Sequence, residues 1–238
     1  MVLIDSGGHY LEGTTDITRT ISLGKVTTKM KKMYTAVLKG HLNLAASVFK
    51  EGCSGVAIDY NARQPLWDLG LDYNHGTGHG VGYLLSVHEP PNAIRYRILP
   101  DNQFNPVFKE GMITSNEPGV YLEGEFGIRI ENLVLCEKKE KNQWGTFLCF
   151  KPLTLVPYDR ELISFEDMAD KEIELLALRL KNTSAVSRAR FNFLNPSSGN
   201  SYNFKLFCAA FKISECKLKS LIPFITITKF LSSVNVRI

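Results

Sequence analysis

Asp5, Asp16, His79, Glu117 and Glu131 are the residues from which chemistry is most readily built. Each of the four acids lies at the end of, or within, an apolar strand-like run, where an unpaired ionised carboxylate is costly. Arg19 and Arg129 could offset one or two of them by ion pairing. For all four together, a bound cation is the simpler compensation. Four carboxylates and one imidazole make a hard, oxygen-rich donor set that suits manganese, iron, cobalt or zinc. So many anionic ligands exceed what one catalytic ion takes. Two metals at roughly 3.5–4 Å, bridged by carboxylates and with a water or hydroxide between them as nucleophile, are the natural arrangement. That chemistry is hydrolysis.

His79 sits in His75-Gly76-Thr77-Gly78-His79-Gly80-Val81-Gly82, where every other position from 76 to 82 is glycine. Glycines so placed allow positive φ or a close approach of backbone or ligand, so the segment reads as a shaped loop around a site. A phosphate cradle is excluded: Tyr83-Leu84-Leu85 follows, not Lys-Ser/Thr at a helix start. A glycine-rich loop carrying a purely structural histidine is a common alternative, so the loop alone leaves the two open.

Val2-Leu3-Ile4 reads as a buried strand stopped by a turn at Asp5-Ser6-Gly7-Gly8. Thr14 to Leu23, rich in Thr and Ile, reads as a second strand hairpinned to the first. From Thr28 to Glu51 apolar residues recur at helical spacing, which predicts one long amphipathic helix with His41 at its core edge. A shorter helix is expected from near Asp59 to Leu69, with Pro65 in its first turn or kinking it. The stretch to Lys109 should be mostly loop. Met112–Ser115 reads as a strand running into a Pro118-Gly119 turn. Phe126–Cys136 reads as one central strand, with Arg129 and Glu131 on the same side. A last short strand is expected at Leu153–Val156 and a helix at Ser164–Leu180.

The charge divides the chain. Residues 1–176 carry a net −5 and residues 177–238 a net +9. The start lacks the basic flank and long apolar core of a signal peptide, and no stretch approaches the ~18 apolar residues of a membrane helix. Five scattered cysteines without CxxC spacing argue against a disulfide framework or a thiolate zinc site. A cytoplasmic protein is expected. The basic charges of the tail are dispersed among Phe, Ile and Leu, so neither nucleic acid nor membrane is an expected partner.

The motifs carry a family resemblance over about residues 2–176. Asp5-Ser6-Gly7 followed by Gly13-Thr14-Thr15-Asp16-Ile17-Thr18-Arg19-Thr20 resembles the signature of aminopeptidase P, the Xaa-Pro aminopeptidases of peptidase family M24. Gly70–Tyr73 leading into the glycine loop, Val87-His88-Glu89, Asn116–Tyr121, Gly127–Asn132 and Glu172 continue it in order. The resemblance implies an α+β pita-bread catalytic domain at residues 1–180. Residues 181–238 match nothing in it and are expected to be a basic, disordered extension. It implies two divalent ions, manganese first and zinc or cobalt as alternatives. By motif position Asp5 would ligate one ion, Asp16 and Glu131 would bridge, and His79 and Glu117 would complete the other. Glu117 would also shuttle a proton from the attacking water to the leaving proline nitrogen. His75 and His88 would be catalytic on the substrate side. Arg129 would orient a ligand carboxylate beside the substrate.

The family has a further substrate histidine and strands upstream of Asp5-Ser6-Gly7, so the fold is expected to be incomplete on its N-terminal side and the isolated chain weakly active or inactive. Residues 92–109 look longer than the family pattern. The function implied is hydrolysis of the bond between an N-terminal residue and a penultimate proline, with such peptides as partners and a homodimer compatible with the pattern. Prolidase activity is the near alternative. A catalytically inactive pita-bread binding module is the other.

Overall fold

The computed structural model describes residues 1–97 and 106–188. Strands β1 (Val2–Tyr10) and β2 (Gly13–Ile21) form an antiparallel hairpin in unbroken register, from Val2 opposite Ile21 to Tyr10 opposite Gly13. Asp5–Gly8 is therefore strand, not the expected turn. Nine consecutive cross-strand pairs outweigh the local turn preference of Ser-Gly-Gly, and the chain reverses at Leu11-Glu12 instead, where Gly13 supplies a φ of +140°. The register has a chemical consequence. Asp16 lies opposite Gly7, two residues from Asp5, so both acids share one face of the hairpin.

Helix α1 (Thr28–Ala45) starts where Thr27 Oγ1 accepts from the Met30 amide at 3.2 Å. It ends earlier than expected, because Val48–Lys50 forms a strand, β3. Phe49 on that strand packs against Phe108 and Phe150, at ring separations of 5.5 and 5.0 Å, which a helix continuing to Glu51 would forfeit. Helix α2 (Gly55–Trp67) begins four residues before Asp59 and holds Pro65 in its last turn. Two-residue strands β4 (Gly78–His79) and β5 (Ala93–Ile94) pair across the glycine loop.

Strands β6 (Ile113–Asn116), β7 (Gly119–Leu122), β8 (Phe126–Arg129), β9 (Asn132–Asn142) and β10 (Gly145–Pro152) follow. The order β3-β10-β9-β6 is a four-stranded antiparallel sheet, and β7 pairs separately with β8. Pro118-Gly119 marks a change of partner between β6 and β7 rather than a tight turn. The single strand expected over Phe126–Cys136 is broken at Ile130-Glu131. There the Ile130 amide donates to Pro118 O and the Glu131 amide to Thr18 O, so both leave the ladders on either side. Leu153–Val156 is not strand, whereas β10 just before it is. Helix α3 (Asp170–Arg188) begins after two short 3-10 turns and continues to Arg188, past the expected end at Leu180 and into the stretch expected to be a basic extension. The remainder of that stretch and of the basic tail lies outside the described residues. Among the described residues no helix is long and apolar enough to cross a membrane.

Helix α1 is the hub of the core. Val37, Leu38 and Leu42 pack with Ile128, Ile130 and Leu162, and Leu44 belongs to a second cluster with Ile58, Phe108 and Leu148. His41, fully buried on this helix, donates from Nδ1 to Asn116 O at 3.1 Å, and Asn116 Nδ2 returns a bond to His41 O at 2.9 Å. Burial first, then the charges of Arg19 and Arg179, push its pKa down to about 3. The imidazole therefore stays neutral in the fold while the unfolded chain protonates near pH 6.5. Its stabilising contribution is complete above pH 6.5 and is lost as pH falls toward 3, at about 1.4 kcal/mol per pH unit. The difference in stability between wild type and His41→Gln, followed by chemical denaturation between pH 7 and 5, should show this slope, since the other titrating groups are common to both.

Candidate metal centre

Five separate segments deliver the acidic cluster. Asp5 comes from β1, Asp16 from β2, His79 from β4, Glu117 from the link after β6, and Glu131 from the break between β8 and β9. Asp16, His79 and Glu131 each offer a ligand atom within 4.8 Å of the others. Glu117 joins them, its Oε1 3.2 Å from His79 Nε2, which also lies 3.5 Å from Asp16 Oδ2. Asp5 is placed differently. Its carboxylate is half exposed and held by Arg129 Nη2 at 2.5 Å, although it remains on the hairpin face that carries Asp16.

The hydrogen bonds behind these groups orient them for a cation. His79 Nδ1 faces Gly80 O at 3.0 Å. A carbonyl only accepts, so Nδ1 carries a proton and Nε2 points into the cluster, where its lone pair is available to a metal once its own proton is displaced. Ser115 Oγ accepts from the His79 amide at 2.9 Å and donates to Glu117 Oε1 at 3.1 Å, fixing two candidate ligands at once. Thr18 Oγ1 donates to Glu131 Oε2 at 2.7 Å. The glycines of the loop serve close approach. None of positions 76, 78, 80 and 82 has a positive φ, and a Cβ on Gly78 would run into the Ser115 carbonyl.

Electrostatics agree with an anionic site built for cations. Burial raises the Asp16 pKa to about 6, with His79 opposing and Asp5 and Glu117 adding to the rise. Burial, reinforced by Glu117 and Asp16, raises Glu131 to about 8. Burial alone would lower His79, but its hydrogen bond to Glu117 and the neighbouring carboxylates bring it up to about 9. Without a cation, the imidazolium is the group that neutralises the cluster. Hard divalent ions would replace that proton, and the donor set of carboxylates and one oriented imidazole fits them.

His75, His88 and Arg129 surround the cluster. His75 Nδ1 donates to Gly76 O at 2.8 Å, so its Nε2 accepts from Tyr121 at 2.9 Å, and burial lowers its pKa. His88 is exposed, with its ring edge-on to His79 at 4.3 Å. Arg129 donates from Nη1 to Tyr121 at 3.0 Å and from Nε to Thr18 Oγ1 at 3.2 Å, besides holding Asp5. Tyr121, Ser115 and Thr18 are functional neighbours that residue types alone did not single out. Thr18 was legible in principle, since strand alternation puts it on the face of Asp16. Arg19 does not neutralise a carboxylate directly; it binds carbonyl and amide oxygens.

Metal-ligand types on paired strands, with a glycine loop behind them, define a candidate centre for divalent metal ions. The model of metallopeptidase family M24 matches residues 1–138, and the chain belongs to that family. It is 45% identical over 176 residues to Xaa-Pro aminopeptidase 2 of Sus scrofa, covering 74% of this chain and 25% of the relative. It is 52% identical over 165 residues to a probable Xaa-Pro aminopeptidase P of Sclerotinia sclerotiorum, covering 68% and 27%. The chain thus spans about a quarter of the length of these curated relatives. Among solved structures, X-prolyl aminopeptidase from Caenorhabditis elegans, described as a cytosolic enzyme with a di-nuclear active site, superposes with a TM-score of 0.69 at 35% identity, over 87% of this chain and 32% of that one. Prolidase from Pyrococcus furiosus gives 0.52 at 33% identity, over 64% and 40%. The fold is the pita-bread α+β type of these neighbours, present in part.

Proposed function

We propose that this chain carries the catalytic centre of a metal-dependent aminopeptidase that removes an N-terminal residue preceding proline. The observation that carries the reading is the convergence of Asp16, His79, Glu117 and Glu131 from four distant segments. Asp5, Asp16, His79, Glu117 and Glu131 would hold two divalent cations, manganese by family pattern, with Asp5 released from Arg129 to do so. Such a pair supplies an acidified water and polarises a carbonyl.

The chain's own residues supply the rest. Glu117 has Oε1 held by Ser115, and its Oε2, 3.9 Å from Arg129 Nε, would take a proton from water and hand it to the leaving nitrogen. His75, kept neutral by burial and with both ring nitrogens engaged, presents its ring face beside Tyr73 as a wall for an apolar proline ring. His88, exposed and edge-on to His79, would hydrogen-bond the substrate carbonyl. Arg129 balances the anionic rim and orients Asp5. A cytoplasmic setting is supported by the description of the C. elegans neighbour.

Incubating the chain with manganese and an Xaa-Pro-Xaa tripeptide, then separately with an Xaa-Pro dipeptide, tests this. Release of the first residue from the tripeptide supports the aminopeptidase. Cleavage confined to the dipeptide favours prolidase chemistry, as the P. furiosus neighbour allows. No cleavage of either peptide by a metal-loaded chain contradicts the reading of this chain as an active aminopeptidase.

A further inference from the structure

Arg19 is a buried cation whose hydrogen bonds all go to neutral oxygens. Nε donates to Pro157 O at 3.1 Å, Nη1 to Thr18 O at 2.8 Å and Glu131 O at 2.6 Å, and Nη2 to Asn132 Oδ1 and Val156 O, each at 2.7 Å. That accounts for all five N–H groups of the guanidinium, which also lies 5.1 Å over the Tyr158 ring. Burying a cation in this way is costly, and what it holds is a specific point of the chain. Glu131 and Asn132 are where the backbone leaves β8 and enters β9.

Glu131 is consequently gripped at three places. Its amide donates to Thr18 O, its carbonyl accepts from Arg19, and its carboxylate accepts from Thr18 Oγ1. The layer continues toward the other side of the cluster. Asn132 Nδ2 donates to the Tyr158 hydroxyl at 3.3 Å, Tyr158 meets the His41 ring edge-on at 5.7 Å, and His41 exchanges two bonds with Asn116, the residue before Glu117.

We propose that Arg19 is a positioning residue for the metal pair, holding Glu131 in the cluster through the Glu131 carbonyl and the Asn132 carboxamide, with Tyr158, His41 and Asn116 extending the same support to Glu117. This rests on reading the cluster as a metal centre, and not on which peptide is cleaved. A lysine at position 19 would keep the charge but could not reach all five oxygens, because its ammonium is a point donor with three N–H groups and not a planar fork.

The test is Mn2+ binding to the full chain, by equilibrium titration and by the electron paramagnetic resonance of a spin-coupled Mn2+ pair. Arg19→Lys is expected to weaken Mn2+ binding about 10- to 100-fold and to replace the coupled signal with that of isolated ions. Phe150→Leu, in the second core cluster and remote from Glu131 in the fold, serves as a control for lost thermal stability and should keep both the affinity and the coupled signal. Equal losses in the two variants, or none in Arg19→Lys, overturn the proposal. If Arg19→Lys does not fold, Asn132→Ala removes only the carboxamide arm; a weakening of about tenfold supports the proposal and unchanged binding overturns it. A wild-type chain that takes up no Mn2+ pair contradicts the metal-centre reading itself, a result distinct from either.

Discussion

Glu131→Gln is expected to make the metal-free protein more stable at pH 8 while removing its capacity for a metal pair. Glu131 has a folded pKa of about 8 against an ordinary value of 4.5, raised first by burial and then by Glu117 and Asp16. For such a group the stabilising contribution is fully present below pH 4.5 and is lost as pH climbs through 8, because the unfolded chain releases the proton more easily. Asp16, raised to about 6, acts in the same direction over a lower window. The metal-free wild type should thus lose on the order of a few kcal/mol between pH 5 and 8 at this cluster, and the neutral amide should escape the larger part. Gln can still accept the hydroxyl bond from Thr18, so the fold is kept. Saturating manganese should reverse the order, stabilising the wild type by mass action more than the variant, which cannot hold the pair. Melting temperatures at pH 5 and 8, with and without metal, decide the matter; a variant less stable than wild type in the metal-free state at pH 8 would mean the carboxylate is not under electrostatic strain.

Arg63→Met is expected to destabilise the fold by about 3–5 kcal/mol, the cost of leaving one member of a buried ion pair alone. Arg63 and Asp59 are 1% and 0% exposed and meet at 2.7 Å one helical turn apart. The guanidinium also bonds Asp72, Tyr73 O and His75 O, and stacks 3.8 Å from the Tyr73 ring. Asp59 in turn accepts from Thr77, whose hydroxyl meets Tyr73 and whose carbonyl takes the Glu117 amide at 2.8 Å. The network is the back wall of the glycine loop. Its loss should therefore loosen His75 and Glu117 together. The double variant Arg63→Met/Asp59→Asn should recover part of the loss, since an amide needs no counter-charge, with a coupling of about 1–3 kcal/mol. Urea unfolding of the two single variants and the double measures this, and simple additivity would show that the pair is not coupled.

The cluster was largely legible before the fold because its members are costly where they stand. Asp5, Asp16, Glu117 and Glu131 lie in apolar runs, and that conflict is visible in residue types alone. Arg129, a residue type suited to pairing with a carboxylate, holds Asp5. Elements were less legible wherever long-range partners overrule local preference. Ser6-Gly7-Gly8 is strand because β2 pairs along its whole length. Val48–Lys50 leaves the helix because Phe49 finds two other phenylalanines. The break at Glu131 could not be read, because it depends on Thr18 and Arg19, more than a hundred residues away in sequence. Likewise Arg19 has the residue type of a carboxylate partner, and only its surroundings show it gripping carbonyls.

Metal stoichiometry is the direct measure of whether these residues form a dinuclear centre. The purified chain, stripped of metal and titrated with Mn2+ at pH 8, is expected to bind two ions, and the Glu131→Gln and His79→Ala variants are each expected to lose at least one. Uptake of no metal by the folded chain, or two ions bound equally well by both variants, would contradict the assignment of the cluster as the metal centre.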